Sequence, residues 1–535
     1  MLDYLIKNGL IMNGRKEPAF MGSVAVKDGK IAGIGHIEPP GDLSAVQILD
    51  ADGAWITPGF VDIHRHGDLL ALHNGDDELL NRQGITTVVN GNCGLSAAPA
   101  GTTYRNEILP FLSSVIGVLP ERISPECLES MGSYMRALST CRRSVNTGML
   151  VGNGTVLASV SGYRVGAVQK QEIEAASLRI EEGLAAGALG VSIGLAYAPE
   201  FRYKAATMKE VLRPLAGKKI PLLVHIRNEG DGLYEAVLEM LDVARALHIP
   251  LHISHMKCIG RRNWRRLPAK VMEAVTEARN EGLDVSYDLY PYITGSTQLV
   301  HLLPPYAQEG GTEAIVKRLS DPEERKKLVE VLSQPSSDFE NIVDLVGFEG
   351  ISVSTLHSDR FRRYEGSTLA EIAEAEHTDG YSVLFDLLIE EKCMVPMLDT
   401  FGCEEDLRFF YADPRAAVIS DAIYPSGGKV HPRVYAAFPR FLIEHVREHR
   451  DLAPEDAIYR MTALPSETLS MDCGVLEIGK AADLNVFRLS ELRAPADFDD
   501  PYRFCEGFRL VMVGGEPVVM QDRWLGGSAG RIIRR

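Results

Sequence analysis

The chain has 535 residues and a net charge of −17, from 56 basic and 73 acidic residues. This acidic balance argues against a nucleic-acid partner, because nucleic-acid-binding proteins carry clustered basic residues. Apolar residues make up 45% of the chain, an ordinary globular value, and no run of 18 apolar residues predicts a membrane span. The length suits a large barrel with a satellite domain.

The eight cysteines are scattered singly and form no CxxC pair, so the sequence predicts neither a disulfide framework nor a zinc ribbon. The first residues lack the basic and apolar regions of a secretory signal. We therefore expect a cytoplasmic enzyme with reduced thiols, and its oligomeric state stays open.

Short strands and hairpin turns characterise both ends of the chain. Residues 24–34 predict a hairpin with Asp28-Gly29 at its turn, and residues 510–520 predict another around Gly514-Gly515. Because chain termini often lie close together, we expect residues 1–57 and 474–535 to build one small β-sandwich domain.

Between the two ends, apolar runs of five or six residues alternate with amphipathic helical stretches, which is typical of parallel βαβ units. We therefore predict an α/β fold in which residues 58–473 form a TIM-like (β/α)8 barrel with a subdomain inserted at about 292–354. Residues 395–398 compete with 283–288 for the seventh strand. The candidate barrel strands are 61–66, 85–90, 147–152, 188–193, 220–225, 249–254, 283–288 and 416–420.

Two histidines one residue apart, His64 and His66, end the first candidate strand. Residues i and i+2 of a strand point to the same face, so the two imidazoles would project together at the mouth of the barrel. This arrangement suits a divalent metal, although HxH alone also occurs in ordinary loops.

Further ligand-type residues follow other candidate strands. Cys93 lies in a glycine-rich turn after the second strand, where a thiolate can bind metal but a buried free cysteine is also common. His225 and His255 end the fifth and sixth strands. His252 points to the opposite strand face from His255 and is interpreted as structural.

Asp421 follows the eighth candidate strand. A carboxylate in this position can accept a proton from an activated water and pass it to a leaving group, although turn and helix-cap aspartates are equally common. Five ligand-type residues at the ends of strands one, two, five and six, together with this carboxylate after strand eight, are hard to obtain by chance.

Several segments resemble the N-acyl-D-amino-acid deacylase (D-aminoacylase) family of the amidohydrolase superfamily. The most specific segment contains Cys93, because many other amidohydrolases use a carboxylated lysine as the metal bridge. The chain departs from the family pattern at Arg65, Asn153, Ala422 and Asn485, none of which is a predicted ligand. The segments that resemble the family are 91–99, 187–199, 225–229, 254–257, 290–297 and 431–440.

The resemblance implies a tightly bound zinc ion on Cys93, His225 and His255. A second, weaker site would use His64 and His66 and share the Cys93 thiolate. Asp421 would act as general base and then as general acid.

The resemblance also implies that residues matching Lys257, Tyr290 and Ser296 hold the carboxylate of the substrate, with Tyr197 near the same pocket. Lys257 lies two residues after His255, so it leaves the strand end in the same direction. The implied reaction is zinc-dependent hydrolysis of an N-acyl-D-amino acid to a carboxylate and a free D-amino acid. The alternatives are a cyclic-amide hydrolase of the hydantoinase or dihydroorotase type, a deaminase, and a catalytically silent scaffold.

Overall fold

The computed structural model describes residues 2–37, 47–74, 77–164, 166–336, 338–424 and 427–535. At its centre lies a barrel of parallel strands, which confirms the predicted α/β barrel. The eight barrel strands, with the third in two parts, are Phe60–Asp62, Ile85–Asn90, Asn146–Met149 and Val151–Gly152, Val191–Gly194, Leu222–His225, Leu251–Ile253, Val285–Leu289 and Ala416–Val418.

Backbone hydrogen bonds close the barrel. On the two sides of the third strand, Leu150 N–H donates to Asn90 and Val151 N–H donates to Gly190. The first and eighth strands meet where His66 N–H donates to the carbonyl oxygen of Ala422. Closure brings the carboxyl ends of all eight strands to one rim, where the functional side chains of such barrels collect.

Amphipathic helices surround the barrel, and the helix that precedes the fourth barrel strand shows why they form. The observed helix Lys170–Ala185 begins with a capping box between Gln169 and Glu172. Its buried positions Ala176, Ile180 and Gly183 recur at helical spacing and face the barrel. None of the helices in the described ranges is long and apolar enough to span a bilayer.

The α-helices, in chain order, are Glu78–Asn81, Arg105–Ile116, Met131–Ser139, Asn153–Ser161, Lys170–Ala185, Ala205–Val211, Leu233–Leu247, Leu267–Asn280, Gly311–Leu319, Pro322–Leu332, Ile342–Val346, Leu369–Ala375, Gly380–Glu390, Glu404–Tyr411, Arg433–Phe441, Pro454–Met461 and Ala463–Thr468.

Strands from both chain ends form one nine-stranded sheet beside the barrel. Trp55–Pro58, which leads into the first barrel strand, pairs with Tyr4–Ile11 on one side and with Leu484–Phe487 on the other. Ile6 and Leu510 come from the two chain ends yet share one apolar core, so the sheet curls around it as the layers of a sandwich do. The remaining strands of the sheet are Phe20–Lys27, Lys30–Gly35, Gln47–Asp50, Phe508–Val513, Glu516–Met520 and Arg523–Trp524.

Both predicted hairpins are present in this sheet. Asp28 and Gly29 have φ angles of 50° and 74°, and Gly514 and Gly515 have φ angles of 54° and 82°. Two consecutive residues with positive φ form the tight turn whose twist matches that of paired strands. The domain bounds at 57 and 474 stay predictions.

A second apolar core lies in the segment between the seventh and eighth barrel strands and runs from Leu299 to Met397. It therefore continues past residue 354, the predicted end of the insertion. Its sheet is antiparallel and contains Thr294–Gln298, Ile351–Val353 and Pro396–Thr400.

The alternative that placed the seventh barrel strand at 395–398 is therefore wrong. Those residues pair antiparallel with Thr294–Gln298 in the inserted unit. Val285–Leu289 takes the seventh place, because it pairs in parallel with both the sixth and the eighth barrel strands.

Candidate metal centre and active site

The barrel rim brings the predicted ligands into two clusters that share Cys93. One contains His64, His66 and Cys93, and the other contains Cys93, His225 and His255. Within each cluster the ligand atoms all lie within 4.8 Å of one another, and all five side chains are buried.

Ligand atoms within the clusters lie as close together as the ligands of one zinc ion, or closer. Cys93 Sγ lies 3.2 Å from His64 Nε2 and 3.4 Å from His255 Nε2, and His225 Nδ1 lies 2.8 Å from His255 Nε2. A tetrahedral zinc ion with ordinary Zn–N and Zn–S bonds places its ligand atoms about 3.4 to 3.6 Å apart. One thiolate and two imidazoles also form a donor set that zinc accepts readily.

Electrostatics favour the thiolate form of Cys93. Burial raises the pKa of this thiol, but the imidazoles of His64 and His255 outweigh that effect and hold the pKa well below its usual range.

Three residues of the site hold backbone conformations that are rare for residues with side chains. The φ angles of Cys93, His255 and Asp421 are 52°, 35° and 48°. Left-handed φ values at non-glycine residues cost free energy and cluster at functional sites. Here each lies just after a barrel strand, where the unusual turn directs the side chain toward the centre of the rim.

Asp421 faces both histidines of the HxH motif. Its Oδ1 lies 3.4 Å from His64 Nε2 and 3.4 Å from His66 Nε2, and its Oδ2 lies 2.9 Å from Nη1 of the buried Arg433. Burial raises the pKa of the Asp421 carboxyl, but the Arg433 guanidinium and the imidazoles lower it well below its usual range. Asp421 is therefore ionised and able to accept a proton.

A cavity of about 520 Å³ opens directly above the clusters. The predicted substrate-binding residues Lys257, Tyr290, Ser296 and Tyr197 all line it. The Tyr197 ring packs 4.4 Å from the His225 ring, which places it beside the second cluster. This volume suits a small organic substrate.

Known proteins are similar to this chain in both sequence and architecture. A profile of the amidohydrolase family matches residues 417–519. The crystal structure of N-acyl-D-glutamate deacylase from Bordetella bronchiseptica, complexed with zinc and a phosphonate inhibitor that mimics the tetrahedral intermediate, is 29% identical with a TM-score of 0.81 and full coverage of both chains.

Two relatives from Alcaligenes xylosoxydans xylosoxydans match along their whole length. A D-aminoacylase is 29% identical over 100% of this chain and 98% of its own sequence. An N-acyl-D-glutamate deacylase is 30% identical over 100% of this chain and 97% of its own sequence. The chain belongs to the N-acyl-D-amino-acid deacylase family of amidohydrolases.

One contact of this family member was not foreseen from sequence: the predicted anion anchor already has an acidic partner. Lys257 Nζ lies 2.8 Å from both carboxylate oxygens of Glu229, and Glu229 Oε1 lies 3.0 Å from His255 Nδ1. Burial raises the pKa of the Glu229 carboxyl, but Lys257 and the nearby imidazoles lower it to about 2. Glu229 therefore orients the His255 ring from behind, as carboxylates commonly do for metal-binding histidines.

Sequence analysis also missed Asp288, at the rim end of the seventh strand. His64 Nδ1 donates to Asp288 Oδ2 at 3.1 Å, and His252 Nε2 donates to the same oxygen at 2.9 Å. The other carboxylate oxygen accepts the backbone N–H of His255. An aspartate within a fully buried strand was the available signal, because a buried carboxylate requires partners.

The departures from the family pattern have structural partners. Arg65 is buried and its guanidinium contacts the Tyr424 hydroxyl. Asn153 Nδ2 donates to Glu200 Oε1 at 2.7 Å. Asn485 Nδ2 donates to the carbonyl of Gly84 at 2.9 Å. None of these residues enters either cluster.

Proposed function

We propose that this protein hydrolyses the amide bond of N-acyl-D-amino acids and releases a carboxylate and a free D-amino acid. One observation carries the proposal: Cys93, His225 and His255 converge beside Asp421 beneath the cavity in a chain that is similar over its full length to deacylases. Cysteine takes the place that a bridging lysine would hold in a cyclic-amide hydrolase.

Cys93, His225 and His255 would hold the tightly bound zinc ion, and His64 and His66 would complete a second, weaker site with the shared thiolate. Bound zinc supplies Lewis-acid activation of water and of the amide carbonyl. The relative from Bordetella bronchiseptica was crystallised with zinc, which supports this choice of metal.

Asp421 would carry the proton. Arg433 holds one of its oxygens at 2.9 Å, so the other oxygen stays directed at the HxH histidines and the space between the clusters. From there Asp421 can take the proton of the attacking water and then deliver it to the leaving nitrogen. Burial of both residues excludes bulk water from this transfer.

Lys257, Tyr290 and Ser296 would hold the carboxylate of the substrate, with Tyr197 packed beside them. Their contribution is orientation of the amide over the clusters, which lowers the entropic part of the barrier. Since Lys257 is paired with Glu229, the incoming carboxylate would share this ammonium with Glu229.

A direct test compares N-acetyl-D-leucine with N-acetyl-L-leucine, using protein loaded with zinc and an assay for free amine. We expect release of D-leucine and little or no release of L-leucine. Hydrolysis of the L-substrate alone would contradict the assignment. Protein in which Asp421 is replaced by asparagine provides the matched inactive control.

The state of the cysteines indicates the cellular compartment of the protein. All eight are unpaired, including the six that are buried. Free thiols persist in reducing compartments, which supports the predicted cytoplasmic location.

A further inference from the structure

The wall of the cavity has an unequal distribution of charge. In the described part of the chain, two permanently cationic side chains line it, Arg227 and Lys257. Five carboxyl groups line it as well: Glu229, Asp338, Glu340, Asp399 and Asp421.

Arg227 is paired with acceptors of the protein itself. Its Nε and one Nη donate to Glu239 at 3.0 and 3.1 Å. The two Nη atoms also donate to the carbonyl oxygens of Phe201 and Tyr203, at 3.0 and 2.6 Å. These bonds use four of the five guanidinium N–H groups, and the Glu239 carboxylate pairs with the charge, so Arg227 offers a ligand at most one N–H group.

Lys257 is the other cation, and Glu229 already holds it through both carboxylate oxygens. In the proposed reaction this ammonium orients the α-carboxylate, which every N-acyl amino acid carries. Among the described lining residues, no lysine or arginine without an acidic partner remains for a second carboxylate on the substrate. Residues 337, 425 and 426, outside the described ranges, are serine, proline and serine and add none.

The pKa values of two lining carboxyl groups indicate that the cavity disfavours negative charge. Burial and then the nearby Glu229 carboxylate raise the pKa of Glu340 to about 8. Burial also raises the pKa of Asp399 to about 6, and Glu229 adds to the effect while Lys257 opposes it. Both shifts have the direction expected where a further negative charge is disfavoured.

The inserted unit supplies an apolar wall to the same cavity. Leu303, Pro304, Val331, Phe339 and Ile342 all line it. An apolar side chain placed against them loses contact with water and makes dispersion contacts. A charged side chain in that position would lose its hydration without gaining a partner.

We propose, building on the function proposed above, that this cavity selects N-acyl-D-amino acids with uncharged, apolar side chains and rejects D-glutamate and D-aspartate derivatives. Two features of the cavity carry the inference: both cations are committed to other groups, and the insertion presents an apolar surface. The specificity would thus differ from that named for the N-acyl-D-glutamate deacylases to which the chain is similar.

The test uses N-acetyl-D-glutamate and N-acetyl-D-glutamine, which have nearly the same shape and differ in charge, together with N-acetyl-D-leucine. We expect kcat/KM to be highest for the leucine derivative and at least about tenfold lower for the glutamate than for the glutamine derivative. Equal or faster hydrolysis of the glutamate derivative would overturn the proposal. Failure on all three D-substrates would instead overturn the proposed function.

A variant tests whether charge at the apolar wall causes the preference for uncharged side chains. Val331 is half-buried on the helix Pro322–Leu332, so Val331→Lys places an ammonium at the apolar wall without filling the core. We expect it to raise the glutamate-to-glutamine ratio of kcat/KM about tenfold, whereas the matched neutral control Val331→Met leaves the ratio unchanged. If both variants change the ratio equally, shape rather than charge sets the preference and the proposal fails.

Discussion

Asp288 and His64 are joined by a hydrogen bond of 3.1 Å between two fully buried side chains, one in the seventh barrel strand and one just after the first. Since a carboxylate can only accept, the Nδ1 atom of His64 carries a proton, and its Nε2 atom lies 3.2 Å from Cys93 Sγ, where a neutral ring would bind a metal. His252 contacts the same Asp288 oxygen. The histidine that sequence analysis interpreted as structural thus helps to hold a predicted ligand in its binding orientation.

This relationship predicts the effect of Asp288→Asn. The asparagine amide cannot accept hydrogen bonds from both His64 and His252 as well as the Asp288 carboxylate does. His64 therefore loses its fixed orientation. Zinc affinity of the weaker site should fall by about 10- to 100-fold, while the site of His225 and His255 keeps its metal. Titration with zinc against a competing chelator measures both sites.

The control for this variant is Asp284→Asn, four residues earlier, where the carboxylate is exposed and pairs with Arg415. It should bind zinc like the parent protein. Equal affinities for Asp288→Asn and the parent at the weaker site would show that His64 needs no such support.

Cys93 belongs to both clusters, so its replacement should affect both sites. In Cys93→Ser we expect most bound zinc to be lost and activity to fall by about 100-fold or more, because serine is a far poorer zinc ligand at neutral pH. Atomic absorption on dialysed protein gives the zinc content. Cys127→Ser, which changes a half-buried thiol outside both clusters, is the control. Full zinc content in Cys93→Ser would contradict the shared-ligand assignment.

Asp421→Asn separates proton transfer from metal binding. The variant keeps the shape of the side chain and should retain zinc, while kcat falls by about 10²- to 10⁴-fold because no base remains to take the proton. Steady-state kinetics and metal analysis on the same sample distinguish the two effects. A variant with normal kcat would remove Asp421 from its proposed role.

Glu200 makes stability depend on pH. It accepts hydrogen bonds from Asn153 Nδ2 and from the Gly194 N–H, both at 2.7 Å, and burial raises its pKa from 4.5 to about 8. The folded protein therefore binds this proton more tightly than the unfolded chain. The corresponding stability is present at low pH and is lost as pH rises from about 4.5 to about 8.

Glu200→Gln removes this titration. Asn153 Oδ1 has no hydrogen-bond partner among the residues that the structure describes, so a rotated Asn153 amide can accept from the new glutamine. The thermal midpoint of the variant should rise relative to that of the parent between about pH 5 and about pH 8 and then keep a constant difference. Parallel curves across this range would contradict the raised pKa.

The side chains that lie at strand ends were the ones that sequence could predict. His64, His66, Cys93, His225, His255 and Asp421 each follow an apolar run, and the carboxyl ends of parallel strands meet at one rim whatever the details of packing. Their proximity follows from that rule, and their roles stay predictions.

Contacts that depend on how separate elements pack together could not be predicted from the sequence pattern. Glu229 reaches Lys257, and Arg433 reaches Asp421, only because separate elements meet at particular distances. The short apolar run at 395–398 was ambiguous for the same reason. Four apolar residues suit either a barrel strand or the side sheet that it joins, and only its partner Thr294–Gln298 decides between them.

The pairing of Trp55–Pro58 with Leu484–Phe487 has a consequence for biosynthesis. Trp55–Pro58 leads into the HxH motif, and on one side it can pair only after Leu484–Phe487 has been synthesised, several hundred residues later. Until Leu484–Phe487 has been made, the nascent chain exposes an unpaired strand edge next to the future metal centre. Chains that terminate before residue 484 would therefore be candidates for chaperone binding and degradation rather than partly active enzymes.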